Sequence, residues 1–250
     1  MKKKLSIICL SVIFIYVIAS VNNSNQCGDS FLWCDSYIAA AEGSEYSVSL
    51  TYFFKNKPVD FEKISSVTFV NATNVTVKSF EFYPMEKIKK YKSIGLELKL
   101  AFGEKASSTC KLIKIIFNNG DSKMYQIGNW QFDIGEKENS EQLLDIWNSP
   151  VASANSSEFP YLYIPSGDFS KIKIQYMINQ TVDVKSSNEI NGEIHLDNVA
   201  PMTIIRPRII CETNGKSIIY YGNSCYCGAL DISEADIDKS FDMKSAIEFR

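Results

Sequence analysis

Ile94-Gly95-Leu96-Glu97-Leu98-Lys99-Leu100-Ala101-Phe102 alternates large apolar residues with small or charged ones at every step. That is the period of a β-strand with one face in a core and the other in water. The same 250-residue chain carries a second such stretch, Ile190-Asn191-Gly192-Glu193-Ile194-His195-Leu196. Four further matches surround the pair in the same order. Leu32-Trp33, followed by an Ala/Ser-rich stretch to Ser44-Glu45-Tyr46, recurs as Ile146-Trp147 leading to Ser157-Glu158-Phe159. Val75-Thr76-Val77-Lys78-Ser79 recurs as Val182-Asp183-Val184-Lys185-Ser186, and Asn119-Gly120-Asp121-Ser122 as Asn214-Gly215-Lys216-Ser217. Each copy then has a Gly-Asn pair (Gly128-Asn129, Gly222-Asn223) and an Asp-Ile (Asp133-Ile134, Asp231-Ile232).

The repeat divides the chain into two related domains, residues 31–135 and 144–233, joined by residues 136–143. This connector is charged and short, so the domains are expected to lie end to end. Val48, Leu50, Tyr52 and Phe54 form another alternating strand, as do Ile172, Ile174, Tyr176 and Ile178. Asn-Gly between apolar runs is a hairpin signal, because its turn residues tolerate positive φ. About seven short strands in about 100 residues, twice over, indicate an all-β chain of two tandem β-sandwiches of immunoglobulin or fibronectin type. Helix is expected only over Ser140–Trp147 and in the tail, residues 234–250, where Ser233-Glu234-Ala235-Asp236 reads as a helix cap.

Ahead of the domains, Lys2–Lys4 precede an apolar run, Leu5–Ala19, with small residues at Ala19 and Ser20. This is the pattern of a signal peptide, residues 1–20, cleaved after Ser20. The run is about 15 residues, below the roughly 20 that span a bilayer as a helix, so the mature protein is expected to be secreted, extracellular and not membrane-embedded. Five N-x-Ser/Thr sites, at Asn22, Asn71, Asn74, Asn155 and Asn179, are N-glycosylation candidates in a eukaryotic secretory pathway. Of the seven cysteines, Cys9 lies in the leader. Cys27, Cys34, Cys110, Cys211, Cys225 and Cys227 remain, and in an exported chain they read as a disulfide framework of unassigned connectivity.

The formal charge is −3 with Lys2–Lys4 and −6 without them. No basic face is available to neutralise phosphates, which argues against a nucleic-acid partner. No Gly-rich phosphate loop, Walker-type lysine or EF-hand spacing occurs, and one histidine with one Cys-x-Cys pair makes no tetrahedral metal set. Neither cofactor nor metal is expected. His195, the sole histidine, sits on the polar side of its strand at the place Lys99 holds in the other copy, which speaks for solvent exposure and against general-base catalysis. No local signature singles out a catalytic carboxylate pair. Trp33 and Trp147 share a place in the repeat and fit core roles. Trp130, in Gly128-Asn129-Trp130-Gln131-Phe132, has no Trp counterpart and is the candidate ligand contact. The sequence therefore reads as a secreted, non-enzymatic protein that binds a cell-surface protein or glycan in adhesion or recognition. The alternatives are a secreted signalling or inhibitory factor acting through a receptor, and a secreted hydrolase with a carboxylate site.

Overall fold

The computed structural model describes residues 28–137, 144–146, 149–197 and 200–245. The leader, Asn22, Cys27, Trp147 and most of the connector lie outside them. The first half contributes β1 (Asp29–Phe31), β2 (Cys34–Ala41), β3 (Glu45–Phe54), β4 (Ile64–Phe69), β5 (Val75–Pro84), β6 (Lys92–Phe102), β7 (Ser107–Phe117) and β8 (Ser122–Gly135). The second contributes β9 (Leu144–Asp145), β10 (Ala152–Ser153), β11 (Glu158–Pro165), β12 (Lys171–Met177) and β13 (Gln180–Val184). It continues with β14 (Ile190–His195), β15 (Met202–Arg206), β16 (Arg208–Thr213), β17 (Lys216–Tyr221), β18 (Cys225–Cys227) and an α-helix, α1 (Glu234–Ser245). The fold is nearly all β, as the period-two pattern predicts.

The strands form four sheets, in the orders β1-β3-β6-β5, β10-β18-β15-β2-β8-β7-β4, β14-β11-β9 and β13-β12-β16-β17. One core lies between the first sheet and one face of the seven-stranded sheet, and holds Leu50, Leu96, Leu98, Leu100, Ile113, Trp130 and Phe132. The second lies on the opposite face, under the two smaller sheets, and holds Phe159, Tyr163, Ile172, Ile174, Ile194, Ile205 and Ile209.

The seven-stranded sheet corrects the expectation of an end-to-end pair. Its middle strand β2 pairs in parallel with β8 of its own half and with β15 of the other. Both faces of β2 are used: Ile38 and Ala40 point into the first core, Tyr37, Ala39 and Ala41 into the second. Parallel strands covered on both faces are near-continuously apolar, which is how Tyr37–Ala41 reads. Helix α1 crosses back as well. It begins with a reciprocal cap, the Asp236 N–H donating to Ser233 Oγ at 3.3 Å and the Ser233 N–H to Asp236 Oδ2 at 2.9 Å. Its Ile237 enters the first core, Phe241 stacks on Tyr91 at 5.3 Å, and Ser240 Oγ accepts the Trp33 N–H at 2.9 Å.

A buried polar cluster also joins the halves. The Asp133 carboxylate accepts from Tyr37 (3.0 Å), Ser107 (2.9 Å), Gln175 (3.0 Å) and Arg208 (3.1 Å). Arg208 in turn donates to the Asp133 carbonyl and to Gln175 Oε1. The buried carboxylate thus faces four donors, each from a different strand: β2, β7, β12 and β16.

Several repeat matches hold in three dimensions. The strands β3 and β6 pair antiparallel, and so do β11 and β14. The Tyr83 ring lies across its cross-strand partner Gly95, and Tyr161 across Gly192, each ring filling the space a Cβ would need. The hairpin β16–β17 turns on Asn214 and Gly215, both at positive φ, whereas β7–β8 closes through residues 118–121, where Gly120 has φ 89°. The Val-Lys-Ser match is different: β5 pairs with β6, but β13 pairs with β12. Each is an outer strand of its sheet, and alternating Val with charged residues is the composition of a protected edge. The helix expected from Ser140 fails where it is described, since Leu144–Asp145 pairs with β11.

The disulfide framework is not formed among the described residues. Cys34, Cys110, Cys211, Cys225 and Cys227 are all buried free thiols, and Cys225 and Cys227 are 3.8 Å apart at sulfur. Cys34 and Cys110 face the first core, Cys211, Cys225 and Cys227 the second, where they serve as small apolar side chains. Burial pushes the thiols of Cys110 and Cys211 up to about 12, so neither forms a thiolate at neutral pH.

Candidate functional site

The second core covers only part of the seven-stranded sheet. Where it stops, a cleft of about 690 Å³ opens over β7, β8, β2 and β15. Two rows of side chains cross its floor at strand spacing. One is Thr109, Gln131, Tyr37 and Ile205, in register across four strands. The other runs from Asn129 through Asp35 to Thr203, with Lys111 beside it at the β7 irregularity between Cys110 and Leu112. The walls are Val70 and Asn71 after β4, Met177 at the end of β12, and Asp197 after β14. Both halves of the chain therefore build the site.

The Gly-Asn pair of the first copy shapes the floor. Gly128 has φ 109°, and a Cβ there would lie 2.1 Å from the Cys34 carbonyl oxygen. Only glycine permits β8 to come this close to β2. Asn129 then reaches Asp35 Oδ1 with its backbone N–H at 2.8 Å and its side-chain amide at 3.2 Å. The Gln131 side chain accepts the Ile178 N–H at 3.2 Å, fixing the β12–β13 turn above the floor. Desolvation raises the Asp35 carboxyl above the ordinary carboxylate range, and the Asn129 hydrogen bonds and the Lys111 charge offset only part of that. The result is a groove with a half-buried carboxylate, amides, hydroxyls and one lysine, floored at one end by Ile205 and walled by Met177. Such a lining suits a polar, partly apolar ligand held by several hydrogen bonds.

Trp130 is in the wrong place for the role expected of it. Its ring is fully buried in the first core, 5.4 Å from Phe69 and 6.0 Å from Phe132, and its Nε1–H donates to the Ile127 carbonyl at 3.3 Å. Residue alternation along β8 turns Trp130 inward and its neighbours Asn129 and Gln131 outward into the cleft. His195 is exposed on β14, with Nε2 3.9 Å from Asp197 Oδ1. Asn71 lies on the cleft wall, Asn179 in the β12–β13 turn, Asn74 beside β5 and Asn155 beside β10. Asp35, Thr109, Lys111, Asn129 and Gln131 had no sequence signal as a set, because they come together only through register. The repeated Gly-Asn pair marked the spot without revealing its purpose.

Among the described residues no group of three or more His, Cys, Asp or Glu side chains is placed to hold a metal ion. No described helix is long and apolar enough to cross a membrane. No family model matches the chain, and no curated protein matches it in sequence. Among solved structures, the chain is similar to the tandem Ig repeats of Dlar, with 9% identity over 80% of this chain and 97% of that one and a TM-score of 0.23. It is similar to fibronectin(III)-like modules of CbhA from Clostridium thermocellum, with 8% identity over 82% and 98% and a TM-score of 0.26. It is also similar to the titin domains z1z2, with 8% identity over 80% and 94% and a TM-score of 0.23.

Proposed function

We propose that this is a secreted, N-glycosylated, non-enzymatic recognition protein that binds a cell-surface protein or glycan through the cleft over β7, β8, β2 and β15. One observation carries the reading: a groove into which Asp35, Thr109, Lys111, Asn129 and Gln131 converge from β2, β7 and β8, held in register by a sheet that both halves share. A rigid sheet fixes such groups better than a mobile loop, and pre-positioned groups lose less entropy on binding. The test is saturable binding of the labelled mature protein to cells of its source, with Thr109→Arg and Lys111→Glu in the cleft and Lys216→Glu on β17 as control. The cleft variants should weaken binding about tenfold or more, the scale of one lost charge-assisted hydrogen bond. Wild-type binding by both would refute the cleft as the site. Enzymatic removal of cell-surface sugars tells glycan from protein.

A second reading, hydrolysis of an extracellular polymer, is favoured by Asp35 and Asp197 lining one cleft with the Asp35 carboxyl raised by desolvation. Polymer cleavage that Asp35→Asn abolishes would replace the binding reading.

A further inference from the structure

We infer that Asn71 and Asn179 carry N-glycans that stand on two walls of the cleft and restrict it to ligands slim enough to pass between them. The inference rests on export through a glycosylating pathway and goes beyond it, because the fold discriminates among the acceptor sites. Asn71-Ala72-Thr73 and Asn74-Val75-Thr76 follow one another directly, but the fold holds their two asparagines differently. Asn74 is half-buried and its amide is engaged: its Nδ2 donates to the Ala106 carbonyl at 3.0 Å and its Oδ1 accepts from Ser108 Oγ at 2.5 Å. Both atoms of that amide are therefore tied to the β6–β7 segment, whereas among the described residues no such bond holds the Asn71 or Asn179 amide out at its turn tip.

Asn71 is exposed at the tip of the turn after β4, in the left-handed region at φ 70°, and lines the cleft. The turn is held in place by the Val70 N–H donating to the Leu112 carbonyl at 2.9 Å. Asn179 shares the exposure and the left-handed backbone, at φ 65°, and sits two residues beyond Met177 of the cleft wall, in the turn that the Ile178 N–H ties to Gln131 on the floor. Asn tolerates the left-handed conformation at a tight turn, and at both positions its side chain is exposed. The modification forms a bond between Asn Nδ2 and the anomeric carbon of an oligosaccharide carried on an isoprenoid pyrophosphate. The anomeric carbon–oxygen bond to the pyrophosphate breaks, and the amide proton leaves with that group.

The test uses the full chain secreted from a glycosylating eukaryotic host. Glycopeptide mapping after enzymatic release in heavy-oxygen water locates the occupied sites. Access to the cleft is read at Lys111, exposed on its floor, by the rate of modification with a bulky amine-reactive dye, with Lys216 as reference. Glycans are expected at Asn71 and Asn179 and not at Asn74, and N71Q/N179Q should raise the Lys111 rate at least threefold with Lys216 unchanged. Modification by formaldehyde and a hydride donor, which are small, should stay equal in both proteins, so that a difference in dye rate reports the size of the gap, and matching urea midpoints show that the variant keeps its fold. A glycan at Asn74 with Asn71 bare, bare Asn71 and Asn179 beside an occupied Asn155, or equal dye rates in the two proteins each overturn the inference while export stands. A chain that is exported with no glycan at any site overturns the inference and the glycoprotein reading together, and a chain that is not exported removes the export reading itself.

Discussion

The first half made without the second should not fold. Residues 28–137 alone lose β15, which pairs with β2 at five register positions from Cys34 to Ile38. They also lose Met202, Ile204 and Ile237, three side chains of the second half that sit in the first core at 3% exposure or less. Burial of each is worth about 1.5–3 kcal/mol, so the fragment forfeits roughly 5–9 kcal/mol. A whole domain has only about 5–15 kcal/mol. In addition, Tyr37, Ala39 and Ala41 become an uncovered apolar face beside an open strand edge, the combination that drives aggregation. Urea unfolding followed by tryptophan fluorescence reports directly, because Trp130 is in the fragment and fully buried in the intact protein. The intact chain should unfold in one transition and the fragment should show red-shifted emission or precipitate. A chain nicked by protease after Lys137 should run on gel filtration as one particle containing both pieces. A soluble, monomeric 28–137 fragment that unfolds cooperatively within about 1 kcal/mol of the intact protein would refute the shared-sheet argument.

Asp133→Ala should cost about 3–5 kcal/mol in urea unfolding, since it strips the acceptor from the Tyr37 hydroxyl and leaves Arg208 without its carboxylate; Asp133→Asn, which keeps one oxygen, should cost less, and equal losses would discredit the charge argument. The Asp35 carboxyl is raised in the folded state by desolvation, so folding binds its proton more tightly than the unfolded chain does, with its ordinary value of 3.8. Stability from this group therefore falls as pH rises from about 3.8 through the folded value, and the deficit is complete above it. Asp35→Asn should accordingly be the more stable protein at pH 7, with the difference vanishing toward pH 3; a difference in urea midpoint that ignores pH would remove desolvation as the cause.

Fold class was legible because strand period is a local property. The alternation from Ile94 to Phe102 and the Asn-Gly turns each depend on residues within one hairpin, and the structure keeps them. The capping pattern at Ser233 is equally local and equally correct. Where the reading went astray, the deciding contacts were distant in sequence. Val75–Ser79 and Val182–Ser186 look alike because both are edge strands, and composition does not say which strand an edge joins. Trp130 lacks a Trp counterpart in the repeat, yet the pleat of β8 turns it inward and sends Asn129 and Gln131 to the cleft.

By itself, then, the sequence determined that the chain is β, that its pattern is doubled, and which face of most strands is apolar, since these follow from side-chain alternation along a single strand. Tertiary structure alone decided that β2 is shared, that the two cores lie on opposite faces of one sheet, that the cysteines of the two halves are kept apart in those cores, and that Asp35, Asn129, Gln131, Thr109 and Lys111 meet. The physical reason is that strand partners are chosen by hydrogen bonds between segments up to about 170 residues apart, as for β2 and β15, and backbone amides and carbonyls carry no residue-specific label.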